Sequence, residues 1–260
     1  LLEAPNTRQE ALAIAMRLRQ AAEEGQTAAL ITPDRQLTRQ VTAALDRWDI
    51  LPDDSAGIPL PLTPPGRFLR HVCGLLTAPL TTAQLLALLK HPLTHSGGAR
   101  GDHLLLTREL ELHLRKKAIP YPETAVLRRW AASQPHDMAA DWAEWAIRCF
   151  TDQNTDGLNA FCDFFDQHIR QAELIAAGCQ PQPEEDSGAL WAKKAGQEAR
   201  AVIADIEAAA EHAGIMSVQD YSHIFNGVLS QKEVRDHDTP HPHLLIWGTL
   251  EARVQGADLV

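Results

Sequence analysis

Two arginines near the start of the chain occupy a position at which proteins often bind phosphate. Arg35 and Arg39 lie in the sequence TPDRQLTR, directly after a short apolar run at residues 27–32. Loops that follow the strands of α/β sheets are common ligand sites, and an arginine there can hold a phosphate through two parallel hydrogen bonds. Arg253 lies in a second such loop, GTLEAR, after the apolar run at residues 244–247. A surface ion pair is the alternative for each of these arginines.

Charge is distributed unevenly along the chain, whose net charge is −10. Residues 64–130 contain ten basic and four acidic residues, a balance of +6, whereas residues 131–240 contain seven basic and 19 acidic residues, a balance of −12. A basic surface can bind a phosphate backbone because counterions are released on contact. Solvated helix faces are the alternative. The candidate DNA-binding side chains are Arg67, Arg70, Arg108, Arg115, Lys116, Lys117, Arg128, Arg129 and, from the later loop, Arg253.

No sequence motif for catalysis accompanies these cations. The phosphate loop G-x-x-x-x-G-K-[ST], the dinucleotide motif G-x-G-x-x-G, the nucleophile elbow G-x-S-x-G and the zinc motif H-E-x-x-H do not occur in the sequence. We therefore predict no catalytic residue in this chain.

Acidic residues and histidines near the end of the chain could supply metal ligands, since carboxylates and imidazoles suit divalent cations. They are Asp236, His237, Asp238, His241 and His243. The segment holds two prolines, which disfavour a helix that would present a pair of ligands on one face. This favours a solvated linker, and we predict no metal site.

The four cysteines are widely spaced and form no C-x-x-C pair. We expect reduced, mostly buried thiols, which is typical of a cytoplasmic protein. No apolar run approaches the roughly 18 residues that a membrane span needs, and no N-terminal signal pattern is visible. The residues concerned are Cys73, Cys149, Cys162 and Cys179.

The elements that must position these residues can be read from hydrophobic periodicity. A capping box at Thr7 predicts a first helix that ends near Glu24. Residues 27–32 predict a buried strand and residues 37–48 a second helix, which together indicate an α/β layer. Residues 49–65 are rich in proline and predict an extended connection.

Most of the remaining chain has helical period. Thr63 should cap a helix that opens with two prolines, and helical patterns continue to about residue 235. Trp130, Trp142, Trp145 and Trp191 are core candidates in this stretch. The last apolar run, residues 257–260, stops without a turn, so we expect the sequence to be a piece of a longer protein.

The predicted fold is therefore α/β and mostly helical. Two α/β pieces, residues 1–63 and 241–260, should form one domain with a partial parallel sheet built from both chain ends. Residues 64–240 should form a large all-α insertion between its strands.

Four segments carry a resemblance to known helicase families. TAALITPDRQLTRQVTAALDRW resembles the fourth motif of superfamily-1 DNA helicases, in which a strand leads into an arginine-bearing loop and a helix. DDSAGIPLPLTPPGRFLRHV, LLALLKHPLT and HPHLLIWGTLEARVQGADLV resemble AddB, a subunit of bacterial double-strand-break repair helicase–nucleases, in its alphaproteobacterial form. The resemblance covers residues 5–98 and 241–260, and the helical middle only in general character.

The resemblance implies a fold and a set of roles. It implies the second RecA-like motor domain (2A) and its helical insertion (2B), in a protein that pairs with AddA to resect broken DNA ends. Arg39, with Arg35 beside it, corresponds to the arginine that faces the nucleotide phosphate. The run around Asp258 corresponds to the strand of the motif that links nucleotide state to DNA. ATP, Mg²⁺ and an iron–sulfur cluster belong to the parent protein, and no cofactor is expected in this part.

The sequence also departs from active helicases of this superfamily. They carry Thr-x-His and Lys-Gly-Leu-Glu near that strand, where this chain reads WGTLEAR. They also tend to carry an aromatic–arginine pair where this chain has Thr32 and Pro33. Both differences argue against ATP hydrolysis, so DNA contact and subunit packing are the expected contributions. The alternative is a purely protein-binding helical module whose acidic surface docks a basic partner.

Overall fold

Helices account for most of the chain. A computed structural model describes residues 3–135, 137–153, 155–179, 187–235 and 241–260. In these ranges the helices are α1 (Thr7–Glu23), α2 (Arg35–Leu45), α3 (Pro64–Thr77), α4 (Thr82–Leu89), α5 (Arg100–Lys116), α6 (Thr124–Ala132), α7 (Met138–Phe150), α8 (Phe161–Ala177), α9 (Lys193–Ala209) and α10 (Val218–Leu229). The strands are β1 (Ala28–Ile31), β2 (Pro52–Asp54), β3 (Ile58–Pro59), β4 (Leu158–Ala160), β5 (Ile215–Ser217), β6 (Glu233–Val234) and β7 (His241–Trp247).

Both ends of the chain contribute strands to one parallel sheet. Its order is β1-β7-β2, and β7 pairs in parallel with both neighbours. Ala28 lies beside Leu244 and Ile31 beside Trp247. The prediction of a mostly helical α/β fold with a parallel sheet from the two chain ends is confirmed.

The third strand of this sheet differs from the prediction. Residues 49–65 were expected to be an extended connection, but Asp53 and Asp54 pair with Leu245 and Ile246. Proline and aspartate are poor strand formers, so propensity and periodicity gave no signal here. Pairing with the apolar β7 overrides the local preference.

The last residues of the chain run beside β1. The amide of Ala29 donates to the carbonyl of Leu259 at 2.9 Å, and the amide of Leu259 donates to the carbonyl of Thr27 at 3.1 Å. The Asp258 carboxylate accepts the Thr27 amide at 2.9 Å. This end of the chain therefore extends the sheet by a single bridge, Ala28 to Leu259.

Helices α1 and α2 cover one face of the sheet. Their apolar stripes enclose the side chains of Ala28 and Leu244, and the shared core comprises Ala11, Ala15, Leu18, Ala21, Ala28, Val41, Leu45 and Leu244. The caps differ from those predicted. Asn6, not Thr7, caps α1 by accepting the Gln9 amide, and Asp34 starts α2 two residues earlier than the apolar period indicated.

The chain divides into two units, which are described separately. Unit 1 comprises Leu1–Ile58 and Glu233–Val260, and unit 2 comprises Pro59–Lys232. The short strands β3 and β6 pair where the chain leaves unit 1 and returns to it.

Unit 2 is built from α3 to α10 and the antiparallel pair β4–β5. Thr63 caps α3 ahead of its two prolines, as predicted, and Thr81 forms a capping box with Gln84 at α4. The leucines predicted for α3 and α4 are buried. Helix α9 begins at Lys193, and Met138 at the start of α7 is 44% exposed.

An aromatic cluster fills the part of unit 2 around α6 and α7. Trp130, Trp142 and Trp145 are buried, as predicted, with ring centroids 5.5 Å apart for Trp130 and Trp142 and 6.1 Å apart for Trp142 and Trp145. Trp191 is only half-buried. Its indole N–H donates to the Glu173 carboxylate at 2.9 Å, and the Arg200 guanidinium lies over its ring.

Candidate functional site

The segments that carry Arg35, Arg39 and Arg253 follow two neighbouring parallel strands of the sheet, β1 and β7. Because β1, β7 and β2 are parallel, the loops after them lie at one edge. The Thr32 amide donates to the Trp247 carbonyl at 3.0 Å, which fixes the start of the turn into α2. Asp34 then caps α2 by accepting the amides of Gln36 and Leu37. Arg35 and Arg39 are thereby placed on the first turns of α2.

Arg35 is engaged by the protein itself. Its Nη1 donates to both carboxylate oxygens of Asp54 at 3.1 Å, and its Nη2 donates to the Gly57 carbonyl at 2.6 Å. The same Asp54 carboxylate accepts the Ala56 amide at 3.1 Å. This guanidinium therefore ties α2 to the turn after β2, which corresponds to the ion-pair alternative.

Gly57 is required for this turn. Its φ is +72°, and a Cβ built there would lie 2.6 Å from the Val234 carbonyl oxygen. A larger residue would push apart the turn that receives Arg35.

Arg39 remains available at the same edge. Its Nε donates to the Arg35 carbonyl at 3.1 Å, one helical turn earlier. The residue is exposed, and it forms no ion pair with any residue in the described part of the chain. Of the two arginines on α2, Arg39 is the one whose terminal nitrogens can bind an external anion.

Arg253 lies in the loop after β7, at the same edge. It ends a short 3-10 turn, Glu251–Arg253, whose amides bond back to Gly248 and Leu250. Its side chain is exposed and has no ion-pair partner among the described residues.

Apart from Arg253, the basic side chains predicted to contact DNA lie on or just after three helices of unit 2, and all are exposed. Some are engaged. The Arg70 Nε donates to the Asn226 side chain, Arg115 pairs with Glu111, and Arg128 pairs with Glu144 through two hydrogen bonds. The Arg129 Nε donates to the carbonyl of Ala125. Within the described ranges, those without an ion-pair partner include Arg67, Arg108, Lys116 and Lys117.

Glu111 connects the cations at the end of α5 to α4. Its carboxylate accepts from Lys90 at 2.5 Å and from Arg115 at 2.8 Å. These hydrogen bonds lower the pKa of Glu111. The pair leaves Lys116 and Lys117 as the uncompensated charges at this helix end.

The outer face of α5 is not purely basic. Leu104, Leu105 and Leu112 are 41%, 44% and 60% exposed and alternate with Arg108 and Arg115 on the same helix. Exposed leucines gain nothing from a phosphate backbone, and a contiguous apolar surface is typical of protein contacts. The outer face of α5 therefore presents both cationic and apolar side chains.

A cavity of about 670 Å³ opens beside α6. Tyr121, Arg128 and Arg129 line it together with several leucine and proline side chains, and Glu123 and Asp152 also line it. The acidic residues balance the arginines, so charge gives no argument that this cavity binds phosphate.

Sequence reasoning missed the buried histidines of unit 2. His168 donates from Nε2 to the Leu69 carbonyl at 2.8 Å and accepts the Tyr221 hydroxyl at Nδ1, 2.7 Å away. His103 donates from Nε2 to the Leu89 carbonyl at 2.7 Å and accepts the Trp142 indole N–H. Burial lowers the pKa of each to about 4, so both rings are neutral. The sequence signal that could have predicted their burial is their position on the apolar stripes of α5 and α8.

The metal-ligand candidates Asp236, His237 and Asp238 lie outside the described residues, as does the acidic segment 184–186. His241 and His243 lie on β7 with ring centroids 6.1 Å apart. Among the described residues no three histidine, cysteine or acidic side chains form a metal-binding group. Cys73 and Cys149 are buried and Cys162 and Cys179 half-buried, all as free thiols.

Across the described ranges, none of the helices has the length and apolar character needed to cross a bilayer. No protein-family model matches the chain, and no curated protein is found to be similar to it.

Proposed function

We propose that this chain is the part of an AddB-like helicase–nuclease subunit that contains the second RecA-like domain and its helical insertion. It contributes DNA binding and subunit packing to double-strand-break repair rather than catalysis of its own. The observation that carries the proposal is the pairing of Ala28 with Leu244 in a parallel sheet, with Pro59–Lys232 inserted between the two strands. A motor domain interrupted by a helical insertion has this arrangement.

The residues at the sheet edge fit a limited nucleotide role. Arg39 is exposed and can bind a phosphate, whereas Arg35 is held by Asp54. No glycine-rich phosphate loop is present in the sequence. In the parent protein Arg39 would hold the nucleotide phosphate from this chain, and no hydrolytic step follows from the described residues. The iron–sulfur cluster that the family implies likewise has no ligand set among the described residues.

DNA contact is supported by the cations that lack a protein partner. Arg108, Lys116 and Lys117 lie on or just after α5, and the described residues offer them no ion pair. An uncompensated cation loses little on binding phosphate and releases counterions from the DNA. We therefore place the DNA-binding surface on α5, with Arg67 of α3 as a further contact.

The test is binding of the chain to a duplex with a single-stranded tail, measured by fluorescence anisotropy over a series of salt concentrations. We expect the logarithm of the affinity to fall linearly with the logarithm of salt. The variant R108Q/K116Q/K117Q should bind more weakly and reduce the slope by up to about 3, because each lost phosphate contact removes about 0.9.

The matched control is R170Q, which removes an exposed arginine from α8, in the acidic part of the chain. It should leave affinity and slope unchanged. Salt-independent binding, or a triple variant that binds like the unmodified chain, would overturn the assignment of α5 to DNA.

A second candidate function, protein binding without DNA contact, is favoured by the exposed leucines of α5. If this face packs on an AddA-like subunit, L104S/L112S should abolish co-purification of the two subunits, whereas R108Q should have little effect. The reverse order of effects would favour the DNA assignment.

The free thiols at all four cysteines suit a reducing compartment, and we place the protein in the cytoplasm on that basis.

A further inference from the structure

A cysteine and a histidine of unit 2 are paired through hydrogen bonds. The His95 Nε2 lies 3.0 Å from the Cys179 Sγ and 3.1 Å from the Cys179 amide nitrogen. The other ring nitrogen, Nδ1, lies 2.7 Å from the Gly98 carbonyl oxygen. A carbonyl can only accept, so Nδ1 carries the proton. The lone pair of Nε2 therefore accepts the Cys179 backbone N–H at 3.1 Å, and the thiol lies beside this hydrogen bond, with its sulfur 3.0 Å from the same nitrogen.

The imidazole is held in this orientation from several sides. The His95 amide donates to the Ile175 carbonyl at 2.9 Å, which fixes the turn after α4 to the end of α8. The ring stacks on His103 with centroids 4.8 Å apart and meets the edge of Trp145 at 5.2 Å. His95 is 2% exposed, so it has no room to rotate away from the sulfur.

Gly178 makes the close approach of sulfur and ring feasible. Its φ is +104°, and a Cβ there would lie 2.8 Å from the His95 Nδ1. The backbone before Cys179 can pass the ring only because this position has no side chain. A half-buried thiol is thus set against a fully buried base.

The surroundings of the pair, burial above all, keep both the imidazole and the thiol neutral. Arg100, Asp102 and His103 face the imidazole, and Asp141, Arg148 and Cys149 face the thiol. Burial is the main influence on both: it lowers the pKa of His95 and raises the pKa of Cys179. Both groups are therefore neutral at rest, and transfer of the thiol proton to Nε2 has to accompany attack by the sulfur.

We propose that Cys179 is a thiol-modification site for small disulfides, with His95 as its general base. Cys179 attacks one sulfur of the reagent disulfide while its proton passes to the His95 Nε2. A mixed disulfide forms on the Cys179 Sγ, the reagent S–S bond breaks, and the second reagent sulfur leaves as a thiolate that takes a proton from the imidazolium. The cysteine is oxidised and the reagent disulfide is reduced.

Cys162 provides an internal reference for this reaction. It lies on the first turn of α8, is half-buried like Cys179, and has no histidine partner among the described residues. Cys73 and Cys149 are buried and report whether the fold is intact, because they should react only when it opens.

The experiment treats the full chain with excess 5,5′-dithiobis(2-nitrobenzoate) and follows each cysteine by peptide mass spectrometry. We expect Cys179 to react at least about tenfold faster than Cys162, since a positioned base accelerates proton transfer by this amount or more. Between pH 6 and 8 we expect the Cys179 rate to rise less steeply than the tenfold per pH unit of a reaction that requires a preformed thiolate. A Cys179 rate equal to or below that of Cys162 would overturn the proposal.

The variant H95N separates base catalysis from simple shielding. Asparagine tolerates the positive φ of +55° at this position. We expect the Cys179 rate to fall to that of Cys162, with the same pH dependence, while Cys73 and Cys149 stay unreactive. A faster Cys179 in this variant would mean that His95 only covers the sulfur, and the proposal would fail. If the buried cysteines react, the comparison of Cys179 with Cys162 in the unmodified chain decides.

Discussion

At the scale of single residues, the two arginines of α2 have different roles although they are one helical turn apart. The Arg35 guanidinium makes three hydrogen bonds, two to the Asp54 carboxylate and one to the Gly57 carbonyl. In the described part of the chain, the Arg39 side chain donates to the Arg35 carbonyl. The sequence motif could not separate them, because the partner carboxylate lies in a strand that periodicity does not reveal. Arg35 holds the turn, whereas Arg39 is exposed and has no ion-pair partner in the described part of the chain.

The variant D54A tests the role of Arg35. It removes the carboxylate partner and also leaves the Ala56 amide without its acceptor. Because Arg35 is 40% exposed, we expect a loss of only about 1–2 kcal/mol in the free energy of unfolding. Urea denaturation followed by circular dichroism measures it.

The matched control for D54A is D53A, one residue earlier on β2, where the described residues show no side-chain hydrogen bond. It should change the unfolding free energy by less than about 0.5 kcal/mol. Equal losses in both variants would show that the ion pair contributes nothing.

At the scale of elements, neutral histidines connect helices of unit 2. His168 joins α8 to α3 and α10, and His103 joins α5 to α4 and α7. Each ring uses one nitrogen as donor to a backbone carbonyl and the other as acceptor. Protonation would remove the acceptor and place a charge in the core.

These histidines should make stability depend on pH. Burial lowers the pKa of His91, His103 and His168 to about 4, whereas in the unfolded chain histidine titrates near 6.5. The unfolded chain therefore binds more protons between these values. The contribution of these histidines to the free energy of unfolding is fully present above pH 6.5. It is lost as the pH falls toward 4, by up to about 1.4 kcal/mol per pH unit for each histidine.

The variant H168Q should reduce this slope by the share of one histidine, whatever its effect on absolute stability. H223Q, at an exposed position of α10, serves as the control and should leave the slope unchanged. Urea denaturation at several pH values between 4 and 7 provides the slope. An unaltered slope in H168Q would contradict the assignment of His168 as a neutral core residue.

Periodicity predicted the helices, whose apolar side chains recur at each turn. It failed for elements that form only because they pair with another part of the chain. The leucines of α3 and α4 are buried as predicted, because a stripe of apolar residues has only one face to bury. Strand β2, with two aspartates, exists because β7 offers it backbone partners. The pairing of His95 with Cys179 joins residues 84 positions apart, and spacing alone cannot show such a contact.

At the scale of the whole molecule, the chain leaves unit 1 at Ile58 and returns at Glu233. These residues belong to β3 and β6, which pair with each other, so the two crossing points are neighbours. The core shared by α1, α2 and the sheet is made only of residues from unit 1. Among the described residues, the members of this core and the apolar side chains packed against it all belong to unit 1.

Unit 1 should therefore fold without the insertion. Replacing Pro59–Lys232 by a short glycine–serine linker should leave the amides of β7 protected from hydrogen exchange and the thermal transition cooperative. The same protein carrying L244D, which places a charge in the core beside Ala28, is the control and should lose this protection. Unprotected β7 amides in the protein without L244D would contradict an independent core.

The tryptophan cluster has a spectroscopic consequence. Three of the six indoles lie together around α6 and α7, and the ring of Trp145 is nearly perpendicular to the neighbouring rings of His95 and His103. Indole emission is sensitive to nearby imidazolium and sulfur groups. Ultraviolet fluorescence should thus report, without any added dye, on the chemical state of the pocket that holds Cys179.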